Sequence, residues 1–213
     1  MNESKHIVLL GDSIFDNKAY VGGGPDVIYQ VRAELGENAS ATLLAVDGDC
    51  AGDVAAQLKN LPAGATHLVV SVGGNDALGQ AGILREGAHS VAEAVERLAQ
   101  VSERFENAYR EMLQAVIAHN LPAAVCTIYY PRFSSSIEQR LTSTALTHFN
   151  DVILRNAFAA AIPVLDLRLI CSADADYANE IEPSSAGGAK IAQRITRLVA
   201  DHDFAQKRSA IFA

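Results

Sequence analysis

Short apolar stretches recur along the chain, and several are continuous rather than alternating. This is typical of parallel β-strands that are covered on both faces. The stretches predict five strands, at residues 6–10, 42–46, 67–72, 123–129 and 163–167.

Helical segments are predicted between these strands, at residues 25–35, 52–58, 90–119, 137–160 and 186–201. Pro25 suits the first position of a helix, and Gly36 suits a stop. The alternation of strands and helices predicts an α/β fold, a three-layer α/β/α sandwich on a five-stranded parallel sheet. We expect residues 1–213 to form a single domain.

Polar segments follow several of the predicted strands. Ser13 follows the first strand, residues 47–49 the second, residues 73–76 the third, and Asp166 begins the loop after the fifth. In open parallel sheets, ligands bind outside the carboxyl ends of the strands. The sequence therefore predicts one functional site at this edge of the sheet.

Composition and charge exclude several classes of function. The formal net charge of −8 argues against nucleic-acid binding, which needs clustered Lys and Arg. The first apolar run, residues 7–10, is too short for a signal peptide or a membrane span, so we expect a soluble cytoplasmic protein with no membrane partner. The three cysteines match neither a disulfide framework nor a zinc site. The glycine run 22–24 fits neither a dinucleotide fingerprint nor a P-loop, and we expect no cofactor.

Three residues at the predicted edge have the chemistry of acyl transfer. Ser13, after Gly11-Asp12, can expose its hydroxyl at a strand-end turn, although serine is also a common helix N-cap. Asn75, within Gly73-Gly74-Asn75-Asp76, can donate to developing negative charge, although Gly, Asn and Asp also dominate ordinary turns. Gly48 can present its backbone N–H to the same oxyanion.

The order of these blocks resembles the SGNH (GDSL-type) hydrolase family. The resemblance spans essentially the whole chain and implies a flavodoxin-like fold that hydrolyses esters, thioesters or acetylated carbohydrates. By position, it implies that Ser13 is the nucleophile and that the Ser13 N–H, Gly48 and Asn75 are oxyanion donors. Ile14 stands where the family usually has Leu.

The last block departs from the family pattern. The family has Asp-x-x-His-Pro, whereas this chain has Asn179-Glu180-Ile181-Glu182-Pro183. Residues 187–192 continue the family's helix pattern, so Glu182 occupies the histidine position and Asn179 the aspartate position. The usual base and the carboxylate that orients it are both missing.

The two replacements are electrostatically consistent with each other. An ionised Glu182 that accepts a proton becomes neutral, and an Asn179 amide can hydrogen-bond the carboxylate where an Asp would repel it. An unperturbed Glu titrates near about pKa 4.3, which is too acidic for a base, unless burial raises it. The alternative is a surface carboxylate ahead of a helix N-terminus. His148, within a predicted helix, is another candidate base.

We therefore expect a serine hydrolase that acts on a small ester or a related acyl bond. One alternative is a non-catalytic protein that binds an acyl or carboxylate ligand on the same fold. Another is a metal-dependent phosphoesterase, since oxygen ligands suit Mg²⁺. Its ligands would come from the acids near the strand ends, namely Asp12, Asp16, Asp47, Asp49 and Asp76.

Overall fold

A computed structural model describes residues 5–36 and 39–213. The strands form one parallel sheet in the order β2-β1-β3-β4-β5-β6. They are β1 Lys5–Gly11, β2 Ala39–Leu43, β3 His67–Ser71, β4 Ala123–Cys126, β5 Val164–Leu165 and β6 Ile211–Phe212. The predicted α/β fold is confirmed, but the prediction of five strands is wrong. A two-residue strand near the chain end pairs with β5 and is too short to give a clear apolar pattern.

Helices cover the sheet between its strands. They are α1 Val27–Glu34, α2 Val54–Gln57, α3 Gly74–Gln80, α4 Val91–Ile117, α5 Ser136–Ala159, α6 Leu167–Ile170 and α7 Ser185–Asp201. The helices predicted at 25–35, 90–119, 137–160 and 186–201 correspond to α1, α4, α5 and α7. The segment 52–58 contains the single turn α2 between two 3₁₀ turns. The sequence missed α3 and α6, which are too short to show helical periodicity.

The second strand lies earlier in the chain than predicted. Leu44 and Ala45 both donate their backbone N–H groups to the carbonyl of Leu9, at 2.8 and 3.0 Å, and so leave the regular ladder. Val46 then donates to Gly11 at 3.1 Å. The apolar run thus continues alongside β1 after β2 itself has ended.

The two faces of β1 explain why its sequence is continuously apolar. Val8 and Leu10 pack in the cluster that contains Tyr109 of α4 and Phe149 of α5. Ile7 and Leu9 pack in the opposite cluster, which contains residues of α1 and α7. All four strand residues are fully buried, and each such side chain contributes about 1.5–3 kcal/mol of hydrophobic free energy. The central strands are therefore anchored on both sides, which fixes the positions of their carboxyl ends.

Across the described residues, no helix combines the length and the apolarity that crossing a lipid bilayer requires.

Candidate active site

Ser13 lies in a tight turn directly after β1. Gly11 ends the strand at φ +123, and a Cβ atom there would collide with the carbonyl oxygen of Ser71. Asp12 donates its N–H to that oxygen at 3.0 Å and accepts from the Ile14 N–H at 3.1 Å through Oδ1. Ser13 is held within this turn with 7% of its surface exposed.

The structure excludes a helix-cap role for Ser13. The chain continues through turns after Ser13, and α1 begins only at Val27. Asp26 caps that helix by accepting the Tyr29 N–H at 2.9 Å. Ser13 is therefore not the cap of a helix.

One cavity brings several of the predicted site residues together. Ser13, Asn75, Glu182 and His148 all line it. The cavity has a volume of about 100 Å³. Gly48 and Asn179 lie on the adjoining loops and are not part of this lining.

Asn75 lies in the first turn of α3 and is oriented by the neighbouring loop. Its Nδ2 donates to the carbonyl of Asp49 at 2.9 Å, which uses one of the two N–H groups of the amide. Gly48 precedes Asp49 with φ +91, in a turn closed by a 3.1 Å bond from the Asp49 N–H to Val46. The Gly48 loop and Asn75 are thereby fixed to each other.

Glu182 is a buried carboxyl at the cavity wall, with 5% of its surface exposed. Burial raises the pKa of this carboxyl to about 7, the Ser13 side chain lowers it, and the charge of Asp47 raises it. Its Oε2 atom is buried and has no hydrogen-bond partner among the described residues. Such a carboxyl is a far better proton acceptor at neutral pH than an exposed glutamate.

Asp12 is a second buried acid at the same cavity, with 2% of its surface exposed. Burial raises its pKa to about 8, the Ile14 N–H lowers it, and the charges of Glu182 and Asp76 raise it further. Asp12 is therefore mostly protonated at neutral pH.

Asn179 makes a different contact from the one the sequence suggested. We expected its amide to hydrogen-bond the Glu182 carboxylate. The side chain is exposed, and its Oδ1 instead accepts the backbone N–H groups of Ile181 and Glu182, at 2.9 and 2.8 Å. This is an Asx-type turn, in which Asn shapes the backbone two and three residues ahead.

His148 is half-buried on α5 and lines the cavity that contains Ser13. Sequence reasoning placed it in a helix away from the strand-end loops. The helix is confirmed, but α5 passes over those loops and brings His148 to the cavity. No periodicity along the chain signals this packing.

The acids near the strand ends mostly tie loops together. Asp16 accepts the Asp47 N–H at 3.0 Å, and Tyr20 donates its hydroxyl to Asp47 at 2.6 Å. Asp76 accepts the Ala51 N–H at 3.0 Å. Within residues 5–36 and 39–213, no three His, Cys, Asp or Glu side chains are grouped so that they could hold a metal ion.

The cavity walls beyond Ser13 are largely apolar. They come from α3, the 3₁₀ helix Ala81–Arg85, α4 and α5, and include Leu78, Ile83, Leu84, Leu98, Leu146 and Phe149. The sequence did not predict this lining, since it assembles from four separate segments.

Comparisons with known proteins agree with this architecture. Residues 9–190 match the model of the family described as GDSL-like lipase/acylhydrolase. No curated protein matches the sequence.

Solved structures with the same fold include several lipolytic enzymes. A lipase from a goat rumen metagenome has 19% identity and a TM-score of 0.68, over 90% of this chain and 96% of that one. The extracellular lipase of Streptomyces rimosus has 16% identity and a TM-score of 0.65, over 87% and 95% of the two chains. Phospholipase A1 of Streptomyces albidoflavus NA297 has 17% identity and a TM-score of 0.64, over 88% and 95%. At these identities the likeness is one of fold.

Proposed function

Because the chain belongs to the GDSL-like lipase/acylhydrolase family, we propose that it is a serine hydrolase of small esters with an apolar acyl group. In this proposal Ser13 is the nucleophile and Glu182 is the general base. The observation that carries it is the cavity shared by Ser13, Asn75 and the buried Glu182.

The proposed reaction begins with ionised Glu182. Its carboxylate accepts the proton of the Ser13 hydroxyl while Oγ attacks the ester carbonyl carbon, which gives a tetrahedral intermediate with a negative oxygen. The carbonyl re-forms, the bond to the alcohol oxygen breaks, and Glu182 returns the proton to that oxygen. A water molecule then repeats the sequence on the acyl-serine and releases the carboxylic acid.

The negative oxygen needs donors that are already in place. We assign this role to the Ser13 N–H, the Gly48 N–H and the Asn75 amide. The 2.9 Å bond from Asn75 to Asp49 supports the assignment, because it holds the amide without a rearrangement during the reaction.

Glu182 and a histidine carry different charges once they have accepted the proton. A histidine base becomes positive when it accepts the proton, and an adjacent Asp stabilises it. Glu182 instead becomes neutral as the oxyanion forms, so negative charge passes from the base to the oxyanion and no positive base is formed that would need an adjacent acid. The raised pKa of Glu182 supports this role, because it brings the basicity of the carboxyl close to neutral pH.

The apolar walls of the cavity support an apolar acyl group on the substrate. Leu84, Leu98 and Phe149 belong to three different helical segments that converge on the cavity. An acyl chain placed there leaves water, which contributes about 0.8 kcal/mol per buried methylene group.

The direct test is hydrolysis of a panel of short esters by wild type and Ser13→Ala, together with labelling by an organophosphonate. We expect turnover in wild type, none in Ser13→Ala, and a covalent adduct mapped to Ser13. Equal rates in the two proteins, or no adduct at Ser13, would refute the serine mechanism.

A second candidate function is a non-catalytic protein that binds an acyl or carboxylate ligand. The observation that favours it is that the buried Oε2 atom of Glu182 has no hydrogen-bond partner among the described residues that would orient it as a base. This candidate predicts saturable binding of a fatty acid, with no ester turnover and no reaction of Ser13 with the phosphonate.

A further inference from the structure

The segment around Glu182 folds back on itself through two local hydrogen bonds. Asn179 Oδ1 accepts the Glu182 N–H, and the Glu182 carbonyl accepts the Ala178 N–H, each at 2.8 Å. These bonds fix the shape of the turn. They do not by themselves fix its distance from Ser13, because both partners belong to the same segment.

Tyr129 ties this turn to the end of the central sheet, on the N-terminal side of Glu182. It follows β4, has 4% of its surface exposed, and donates its hydroxyl to the Ile181 carbonyl at 2.7 Å. Burial and the charge of Glu182 raise the pKa of the Tyr129 hydroxyl well above its ordinary value, so it remains a donor.

Asn17 ties the turn to the loop of the nucleophile, on the C-terminal side of Glu182. This side chain is fully buried. Its Nδ2 donates to the Pro183 carbonyl at 3.0 Å, and its Oδ1 accepts the Val27 N–H at 3.0 Å. Asn17 lies four residues after Ser13, so a single side chain connects the Ser13 loop, the start of α1 and the segment of the base.

We propose that Asn17 and Tyr129 are positioning residues that set the separation between the Glu182 carboxyl and the Ser13 hydroxyl. This inference rests on the proposed function of Ser13 and Glu182. A histidine base is oriented by a bond from its own ring to an acid. Within residues 5–36 and 39–213 the Oε2 atom of Glu182 has no such bond, and Asn179 contacts the backbone instead. The carboxyl is therefore placed through the two carbonyls that flank residue 182.

The first test compares Tyr129→Phe with Tyr177→Phe. Both variants remove a hydroxyl that donates to backbone carbonyls. The Tyr177 ring packs edge-on against Tyr129, with 4.9 Å between ring centroids, but its hydroxyl donates to Tyr130 and Cys171, at 2.9 and 2.8 Å, and not to the turn that carries Glu182. We expect kcat for ester hydrolysis to fall about tenfold or more in Tyr129→Phe with KM changed less than twofold, since small misplacements of reacting groups are costly. Tyr177→Phe should stay within about twofold of wild type.

The second test compares Asn17→Asp with Asn150→Asp. Each change removes an amide donor from a buried side chain and keeps the acceptor. Asn150 uses both of its groups on Ile128, at 2.8 Å each. Rates are compared on the high-pH plateau, where Glu182 is ionised in every variant. There the charge introduced by the substitution cannot lower the rate by keeping Glu182 protonated, so a lower rate indicates a displaced base. We expect a loss of about tenfold in Asn17→Asp relative to Asn150→Asp, and equal rates would overturn the role of Asn17.

A third measurement does not depend on turnover. Carbon-13 NMR follows the titration of the Glu182 carboxyl, which faces Ser13, Asp12 and Asp47. In wild type and in Tyr177→Phe, the pKa of the Glu182 carboxyl should stay raised. In Tyr129→Phe it should fall toward its ordinary value, because a loosened turn exposes the carboxyl to water.

Different results would refute the proposed function and the positioning role of Tyr129. Absence of Ser13-dependent turnover in wild type would remove the proposed function, and the titration would still decide whether Tyr129 holds Glu182 in place. If Tyr129→Phe has both the rate and the Glu182 titration of wild type, the positioning role of Tyr129 is wrong.

Discussion

At the scale of single residues, the decisive feature is the carboxyl of Glu182, which is buried and forms no salt bridge with any residue that the structure describes. Glu182 lines the same apolar cavity as Ser13 and the buried acid Asp12, whose pKa is also raised. Desolvation disfavours the ionised form of such a group, and the same effect makes its carboxylate more basic. The consequences of this raised pKa can be measured in both rate and stability.

The rate should follow the ionisation of Glu182. Only the carboxylate can accept the Ser13 proton, so kcat/KM should rise with pH and level off above the raised pKa of Glu182, about 7. The pH–rate profile of wild type with a neutral ester measures this. A rise centred near 4.5 would indicate an ordinary, solvated glutamate in that role.

The stability of the fold should also depend on the ionisation of Glu182. Catalysis needs the ionised carboxylate, whereas the fold is more stable when the carboxyl is protonated. Because the folded pKa of Glu182 lies above its unfolded value of 4.5, the protonated form stabilises the fold. That stabilisation is fully present below about pH 4.5 and is lost as pH rises through about 7. Urea unfolding of wild type and Glu182→Gln between pH 4 and 8 should show a difference that changes by on the order of 2–3 kcal/mol. Parallel curves would mean that the pKa is not raised.

At the scale of elements, the site depends on the way β1 and β3 end. Gly11 allows the chain to turn at φ +123 against Ser71, and Gly73 does the same at φ +120 before α3. These two turns place Ser13 and Asn75 at the same cavity. Both glycines therefore belong to the construction of the site.

A methyl group at Gly11 should disrupt this turn. Gly11→Ala combines a strained φ with a collision against the Ser71 carbonyl, and we expect a loss of roughly 2–4 kcal/mol in the free energy of unfolding. Gly79→Ala is the control, because Gly79 lies in α3 with nothing within 4 Å of an added Cβ. It should be neutral or slightly stabilising. Equal effects in the two variants would contradict this view of the turn.

The pattern of apolar residues predicted the long elements and missed three of the short ones, namely α3, α6 and β6. The patterns of the long elements are clear, because β1 and β3 bury nearly every residue and α4 and α7 bury one face of a long helix. The two-residue strand β6 exists because its backbone pairs with β5, and no local pattern records that pairing.

Within the candidate site, too, local sequence patterns indicate some residues and not others. Ser13, Asn75 and Glu182 were predicted because strand ends and short motifs mark them. Asn17 and Tyr129 bond to residues 166 and 52 positions away, and such contacts leave no trace in local sequence.

At the scale of the whole molecule, an acidic chain carries acidic residues on the loops next to an apolar cavity. The chain has a formal net charge of −8. Asp16, Asp47 and Glu182 lie on converging loops, and none of them forms a salt bridge among the described residues. A field of one sign attracts or repels charged substrates before they bind.

This field should discriminate between esters by charge. We expect a lower kcat/KM for an ester with an anionic leaving group than for a neutral ester of similar size, with a difference that shrinks as salt screens the field. Asp47→Asn should also reduce the difference. A preference for the anionic ester at low salt would contradict the electrostatic argument.

The measurement that tests the central claim most directly is the turnover of one neutral ester by Glu182→Gln, beside wild type and Glu180→Gln. Glu180 is exposed and two residues away, so it controls for the loss of a nearby acid. We predict that kcat falls by about 10³ or more in Glu182→Gln, the scale of losing a catalytic base, and is unchanged in Glu180→Gln. Wild-type turnover in Glu182→Gln would show that Glu182 is not the base, and His148→Gln would then be the next variant to measure.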